Sequence, residues 1–73
     1  MGRTYLFKLK LKEVLNRKGI SQKQLAEMTG LREATISEMV NDSRSTYNKK
    51  HLAIVMDALN ITELSDILEL KVL

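Results

Sequence analysis

The side chains able to do covalent or metal chemistry are few in this sequence. His51 is the only histidine and cysteine is absent, so no thiolate nucleophile, Cys–His pair or thiolate metal site can be assembled. The carboxylates do not fall into a nucleophile-and-base arrangement either. His51, beside Leu52, reads as a solvated helix-start residue or a neighbour of a phosphate rather than a base. An enzyme, a metal centre and a cofactor are therefore not expected. What remains is charge and hydrogen bonding. Twelve Lys and Arg against nine Asp and Glu give a net charge of +3, which suits a polyanionic partner, modestly. Lys8, Lys10, Lys12, Arg17, Lys18 and Lys23 load the first third, and Arg44, Lys49 and Lys50 cluster later. Asp57, Glu63, Asp66 and Glu69 gather toward the end. That distribution has two readings: a basic face opposed to an acidic end, or an ordinary solubilising pattern.

The stretch that must position such groups is Ser21 to Asn41, SQKQLAEMTGLREATISEMVN. Leu25 and Met28, with Ala26 beside them, make one apolar stripe, while Gln22, Lys23, Gln24 and Glu27 face water. Ser21 is an N-cap residue by type, and Gln24 three residues on completes a capping box. Gly30 stands where the helix stops, since glycine takes the left-handed conformation at little cost. A second helix follows from about Arg32 to Asn41, with Ile36, Met39 and Val40 at helical spacing and Glu33, Ala34, Ser37 and Glu38 on or near the outer faces. Two short helices joined by a tight Gly-containing turn form a helix-turn-helix, whose second helix is shaped for a DNA major groove. The plainer reading is an αα-hairpin in some other small helical fold.

The detail of the motif carries more than its spacing. Gln22, Ala26, Gly30, Ile36 and Met39 together closely resemble the lambda-repressor/Cro-like (XRE-type) helix-turn-helix family. In that family these places hold a phosphate-contacting Gln, a small residue at the helix crossing, the turn Gly and two core apolar residues. HLAIVMDALNITEL resembles the family's fourth helix, short turn and start of the fifth, so the likeness covers about Leu11 to Leu68. It implies a mainly α, five-helix lambda-repressor-like DNA-binding domain, and a sequence-specific, repressor-like regulator of transcription. An antitoxin, or a protein-interaction subunit built on the same fold, is the other functional reading.

The resemblance also assigns roles. Arg32, Glu33, Ala34, Ser37 and Glu38, with Thr35 at the margin, fall on the positions aimed at base edges. Arg32 is suited to guanine O6 and N7, Glu33 or Glu38 to cytosine N4, and Ala34 to a thymine methyl. Glutamates here depart from a phosphate-friendly surface, because each repels the backbone. Glu33 has an equal claim as a residue that complements the helix dipole, and Arg32 one as a solvated helix-start residue. Gln22 and Asn41 match phosphate contacts on either side of the second helix, and Arg44, Tyr47, Lys49 and Lys50 lie in and after the loop resembling a second phosphate-gripping segment. Such proteins commonly act as homodimers on double-stranded DNA. The interface expected here is the fifth helix and C-terminal strand.

The flanks must hold the motif in place. Tyr5, Phe7, Leu9 and Leu11 alternate with Lys8 and Lys10, so Thr4 to Leu11 reads as a strand. The period changes from about Lys10, with Leu11, Val14 and Leu15 on one helical face and Gly19 as the stop; Lys8 to Lys12 satisfies both periods, which leaves the strand-to-helix boundary open over those residues. ILELKVL, from Ile67 to Leu73, alternates likewise. A lone strand needs a partner, so the two termini are expected to pair antiparallel in a small two-stranded sheet; a frayed apolar tail or a dimer surface is the alternative. Between them DSRSTYN is a loop, helix four runs to about Leu59 with Leu52, Val55, Met56 and Leu59 inward, Asn60 lies at its C-terminal cap, and Thr62 is expected to cap a fifth helix carrying Leu64, Ile67 and Leu68. Seventy-three residues bound a single domain, 1–73, with a small core. No apolar run of about eighteen residues offers a membrane span, no secretory segment opens the chain, and the absence of cysteine fits a reducing cytoplasm.

Overall fold

At Lys10 the chain changes from a period of two to a helical one, and the structure turns there. A computed structural model describes residues 2–73. Tyr5–Leu9 is strand β1 and Leu11–Lys18 helix α1, with Lys10 between them as the helix N-cap residue. The strand is shorter than the expected Thr4 to Leu11, because Leu11 is drawn into the buried helical face with Val14 and Leu15. Gly19 ends α1 at φ 68°.

Helices α2 (Gln22–Thr29), α3 (Glu33–Asn41) and α4 (Lys49–Ala58) follow. The capping box at α2 forms as expected: Gln24 N–H donates to Ser21 Oγ at 3.0 Å, and Ser21 N–H donates to Gln24 Oε1 at 2.8 Å. The inner stripe of α2 is Leu25 and Ala26. Met28 is half exposed, a correction to the expected Leu25–Met28 stripe: the face of the helix that meets the core is centred one residue toward Ala26.

After α4, Asn60 takes a left-handed φ of 56°, as the expected cap region requires. The fifth helix is absent. Leu64–Asp66 makes a single 3-10 turn, preceded by Glu63 rather than capped by Thr62, and no side-chain cap bond forms. Among the described residues the fold therefore has four α-helices rather than five. The cause is competition for Ile67 and Leu68. Ile67 is fully buried and its carbonyl accepts the Lys10 N–H at 2.6 Å, while Leu68–Val72 extends as strand β2.

β1 and β2 pair antiparallel from Tyr5 opposite Val72 to Leu9 opposite Leu68, so the expected terminal sheet forms. Thr4 and Leu73 exchange both backbone hydrogen bonds, at 2.9 and 2.8 Å. This phase makes Leu6–Lys71 and Lys8–Glu69 the hydrogen-bonded pairs, and turns the amides of Tyr5, Phe7, Leu70 and Val72 to the outer edges. The core gathers one to three residues from every helix, among them Leu11, Leu25, Ile36 and Val55, and closes with Leu9 of β1 and Ile67, the residue before β2.

Candidate nucleic-acid interface

α3 is fixed from its inner side. Ile36 and Val40 are buried, and Leu31 and Met39 pack partly buried against the same core, which leaves Glu33, Ala34 and Asn41 in solvent and Thr35, Ser37 and Glu38 half-buried at the rim. The turn before it is only Gly30, Leu31 and Arg32. Gly30, at φ 74°, donates to Ala26 O, and Thr29 Oγ1 donates back to Leu25 O at 2.8 Å while accepting the Leu31 N–H at 3.2 Å. Thr29 thus locks the angle between the two helices. Arg32, extended at ψ 147°, is the N-cap position of α3, so its side chain leaves at the helix entrance with no capping duty.

The residues expected to meet phosphate and base edges are brought together in two ways. Asn41 Nδ2 donates to Ser37 Oγ at 3.4 Å, one turn apart on the open side of α3. Arg44 Nε donates to Glu38 Oε2 at 2.5 Å, so a cation of the loop closes over a carboxylate of the helix. Thr35, Glu38, Arg44 and Tyr47 line one cleft of about 520 Å3 between α3, the loop and the start of α4. Gln22 opens α2, and Lys49 and Lys50 open α4; all are exposed. None of the latter three is drawn into that cleft.

Lys49 and Lys50 stand where helix electrostatics disfavour them. The first turn of a helix carries the positive end of its dipole, and α4 has no acidic residue there to offset two ammonium groups. Such an end, with free N–H groups beside the lysines, is complementary to an anion. Asn48 caps it, accepting the His51 N–H at 3.2 Å, and His51 is half-buried at the cleft.

Sequence reasoning missed Asp42. It ends α3 in the left-handed conformation, φ 51°, and its carboxylate reaches two separate elements: Oδ2 accepts the Leu9 N–H at 3.2 Å, and Oδ1 accepts the Tyr47 hydroxyl at 3.2 Å. The recognition-type helix, the root of the ribbon and the following loop therefore meet at one side chain. Partial burial, then the neighbouring Asp42 charge and its hydrogen bond, raise the Tyr47 pKa above its usual 10.0. The signal available in the sequence was an Asp immediately after a helical run, a residue type that tolerates left-handed backbone.

A short two-helix unit with a three-residue turn, held between α1, α4 and a terminal ribbon, is a helix-turn-helix domain. Residues 10–72 match the model of the Cro/C1-type HTH DNA-binding domain, and the chain belongs to that family. No curated protein and no solved structure matches it. The family makes DNA the partner, and the chain a DNA-binding regulator. Among the described residues, no helix is long and apolar enough to cross a membrane.

Proposed function

We propose that this chain is a sequence-specific, repressor-like regulator of transcription that sets α3 into the major groove. The observation carrying this reading is the division of α3 into a buried Ile36–Val40 side and an open side of Glu33, Ala34, Ser37 and Asn41. No open-side residue is needed by the core, and polar or small groups of this kind are the ones that distinguish base edges. Arg32, at the helix entrance, meets guanine; Glu33 accepts from cytosine; Ala34 meets a thymine methyl; Thr35, Ser37 and Glu38 complete the reading surface. Gln22, Asn41, Arg44, Tyr47, Lys49 and Lys50 hold the flanking phosphates.

The Glu38–Arg44 contact refines this picture. While paired, neither is free for DNA: the arginine is lost to phosphate and the glutamate's repulsion of phosphate is neutralised. Base contact by Glu38 therefore goes with transfer of Arg44 to a phosphate, and the exchange is favourable only where the base pair offers a donor to the carboxylate. This raises discrimination at the expense of non-specific affinity.

One such domain covers one half-site, so the regulator acts as a homodimer on two half-sites about one helical turn apart. The test is a fluorescence-anisotropy titration against duplex from the gene's own upstream region, with a scrambled duplex as control, at two salt concentrations. Tight binding that favours the upstream duplex is expected. Weak and equal binding to both overturns the reading and leaves the fold as a scaffold for protein contacts, as in an antitoxin or an adaptor subunit.

A further inference from the structure

The loop between α3 and α4 is tied down by side chains rather than by backbone. The Ser43 N–H donates to Glu38 O at 3.3 Å and the Asn48 carbonyl accepts the Leu52 N–H at 3.0 Å, but from Arg44 to Tyr47 no backbone–backbone hydrogen bond forms among the described residues. Of residues 43–48 only Tyr47 is not exposed, and it packs against the core. Two side-chain bonds hold this stretch. Arg44 donates to Glu38 in solvent, and the Tyr47 hydroxyl donates to Asp42 Oδ1 in a part-buried place. The Asp42 carboxylate is itself fixed, because its other oxygen accepts the N–H of buried Leu9.

We propose that Tyr47 is a positioning residue for the DNA contact of Arg44: anchored on Asp42, it sets the loop in place and does not itself touch phosphate. A tyrosine hydroxyl has one proton to donate, and phosphate oxygens only accept. Here that proton is given to Asp42. Turning it to a phosphate leaves an Asp42 oxygen unpaired and draws the one half-buried side chain of the loop off the core, a double penalty that exposed Arg44 does not meet. Burial first, and then the Asp42 charge and hydrogen bond, raise the Tyr47 pKa, which agrees with a hydroxyl kept protonated toward that carboxylate. Tyr47 thus belongs to the phosphate-holding set through Arg44.

The role follows from the two ties being used at different times. When Arg44 leaves Glu38 for a phosphate, in the exchange proposed above, the Tyr47–Asp42 bond is the side-chain tie that still joins the loop to the end of α3. While it holds, the guanidinium moves on a fixed base and little ordering is left to binding. Without it, binding must order residues 44–47, which have no backbone hydrogen bonds of their own to hold them. The proposal rests on the DNA-binding reading of Arg44, and not on which bases α3 reads.

The test frees Arg44 first. In a Glu38→Gln chain the arginine can reach phosphate on any duplex, so affinity for the scrambled duplex at low salt measures phosphate contact apart from sequence preference. Adding Tyr47→Phe, which keeps the ring and removes the hydroxyl, should weaken that affinity by about 2–10-fold, the range that one hydrogen bond spans. With Arg44→Ala also present, the same change should have no effect. A hydroxyl that met phosphate directly would lower affinity by the same factor in both backgrounds. A merely structural role, with every chain folded at the assay temperature by circular dichroism, would lower it in neither, and both results overturn the proposal. A second measurement needs no change at Tyr47: in the free Glu38→Gln chain the Ser45 and Thr46 amides should keep NMR order parameters of about 0.85, and values below about 0.6 overturn it as well. If the Glu38→Gln chain binds no duplex, the DNA reading of Arg44 fails and the proposal with it; binding without the coupling refutes the positioning role alone.

Discussion

Replacing Asp42 tests whether one carboxylate joins the end of the recognition-type helix to the ribbon and the loop. Three contributions separate by substitution. Leu9 is 2% exposed and its N–H depends on Asp42 Oδ2; leaving that donor unpartnered costs about 1–3 kcal/mol. The Tyr47 hydroxyl is only part-buried and recovers part of its bond from water, so its loss adds less than that of the Leu9 bond. Backbone at φ 51° costs an alanine a further ~1–2 kcal/mol, and costs glycine nothing. Asn tolerates that backbone, its carbonyl can serve Leu9 and its amide can donate to the Tyr47 oxygen, so Asp42→Asn should lose less than about 1 kcal/mol. The expected order of stability is wild type, Asn, Gly, Ala. A chain of 73 residues has a total stability of roughly 4–11 kcal/mol, and each kcal/mol moves the melting temperature of so small a domain by about 4–8 °C. Thermal unfolding followed by circular dichroism should thus place Asp42→Gly about 10 °C below wild type and Asp42→Ala about 5–10 °C lower still. Glycine as stable as asparagine would show that Leu9 does not rely on the carboxylate. Alanine equal to glycine would show that the left-handed backbone carries no cost here.

Further consequences follow for charge and pH. Glu38→Gln releases Arg44 without altering shape; non-specific duplex affinity should rise and the log–log salt slope should steepen by about one unit, while an unchanged slope would mean Arg44 never reaches phosphate. Replacing Lys49 and Lys50 together with Ala should weaken binding similarly on all duplexes and reduce that slope by about two; a loss confined to one sequence would contradict a phosphate role. Tyr47 titrates higher folded than unfolded, so its stabilising contribution is fully present below the unfolded value near 10.0 and is lost as pH rises through the folded value. Urea unfolding of wild type and Tyr47→Phe should therefore differ near neutral pH and converge in strong alkali; a constant gap would show that neither burial nor Asp42 raises the Tyr47 pKa.

What was legible in the sequence was local or strictly periodic. Ser21 and Gln24 specify a capping box within four residues, Gly19 and Gly30 mark stops by backbone preference, and the alternation in Tyr5–Leu9 and Leu68–Val72 places two strands whose backbone groups have only each other. Misreading began where two periods overlap. Leu64, Ile67 and Leu68 fit a helix, but Ile67, Leu70 and their neighbours also fit a strand, and the bond from Lys10 to Ile67 decides for the strand because β1 otherwise lacks a partner. Propensity for a fifth helix of a few residues is a weak term beside a full ladder.

The candidate site was legible as a set of residue types and illegible as a set of contacts. Glu38 and Arg44 were each expected at DNA-facing positions, yet their pairing depends on the loop folding back after the left-handed turn at Asp42, which also holds Tyr47. That dependence runs toward the ribbon as well, since the same carboxylate accepts the Leu9 N–H at the ribbon's root. A change at the ribbon's root can therefore be felt at Asp42 and, through its second oxygen, at Tyr47 in the loop. The coupling is testable in a double-mutant cycle on thermal stability: Asp42→Gly and Tyr47→Phe should be non-additive, and additivity within about 0.5 kcal/mol would refute it.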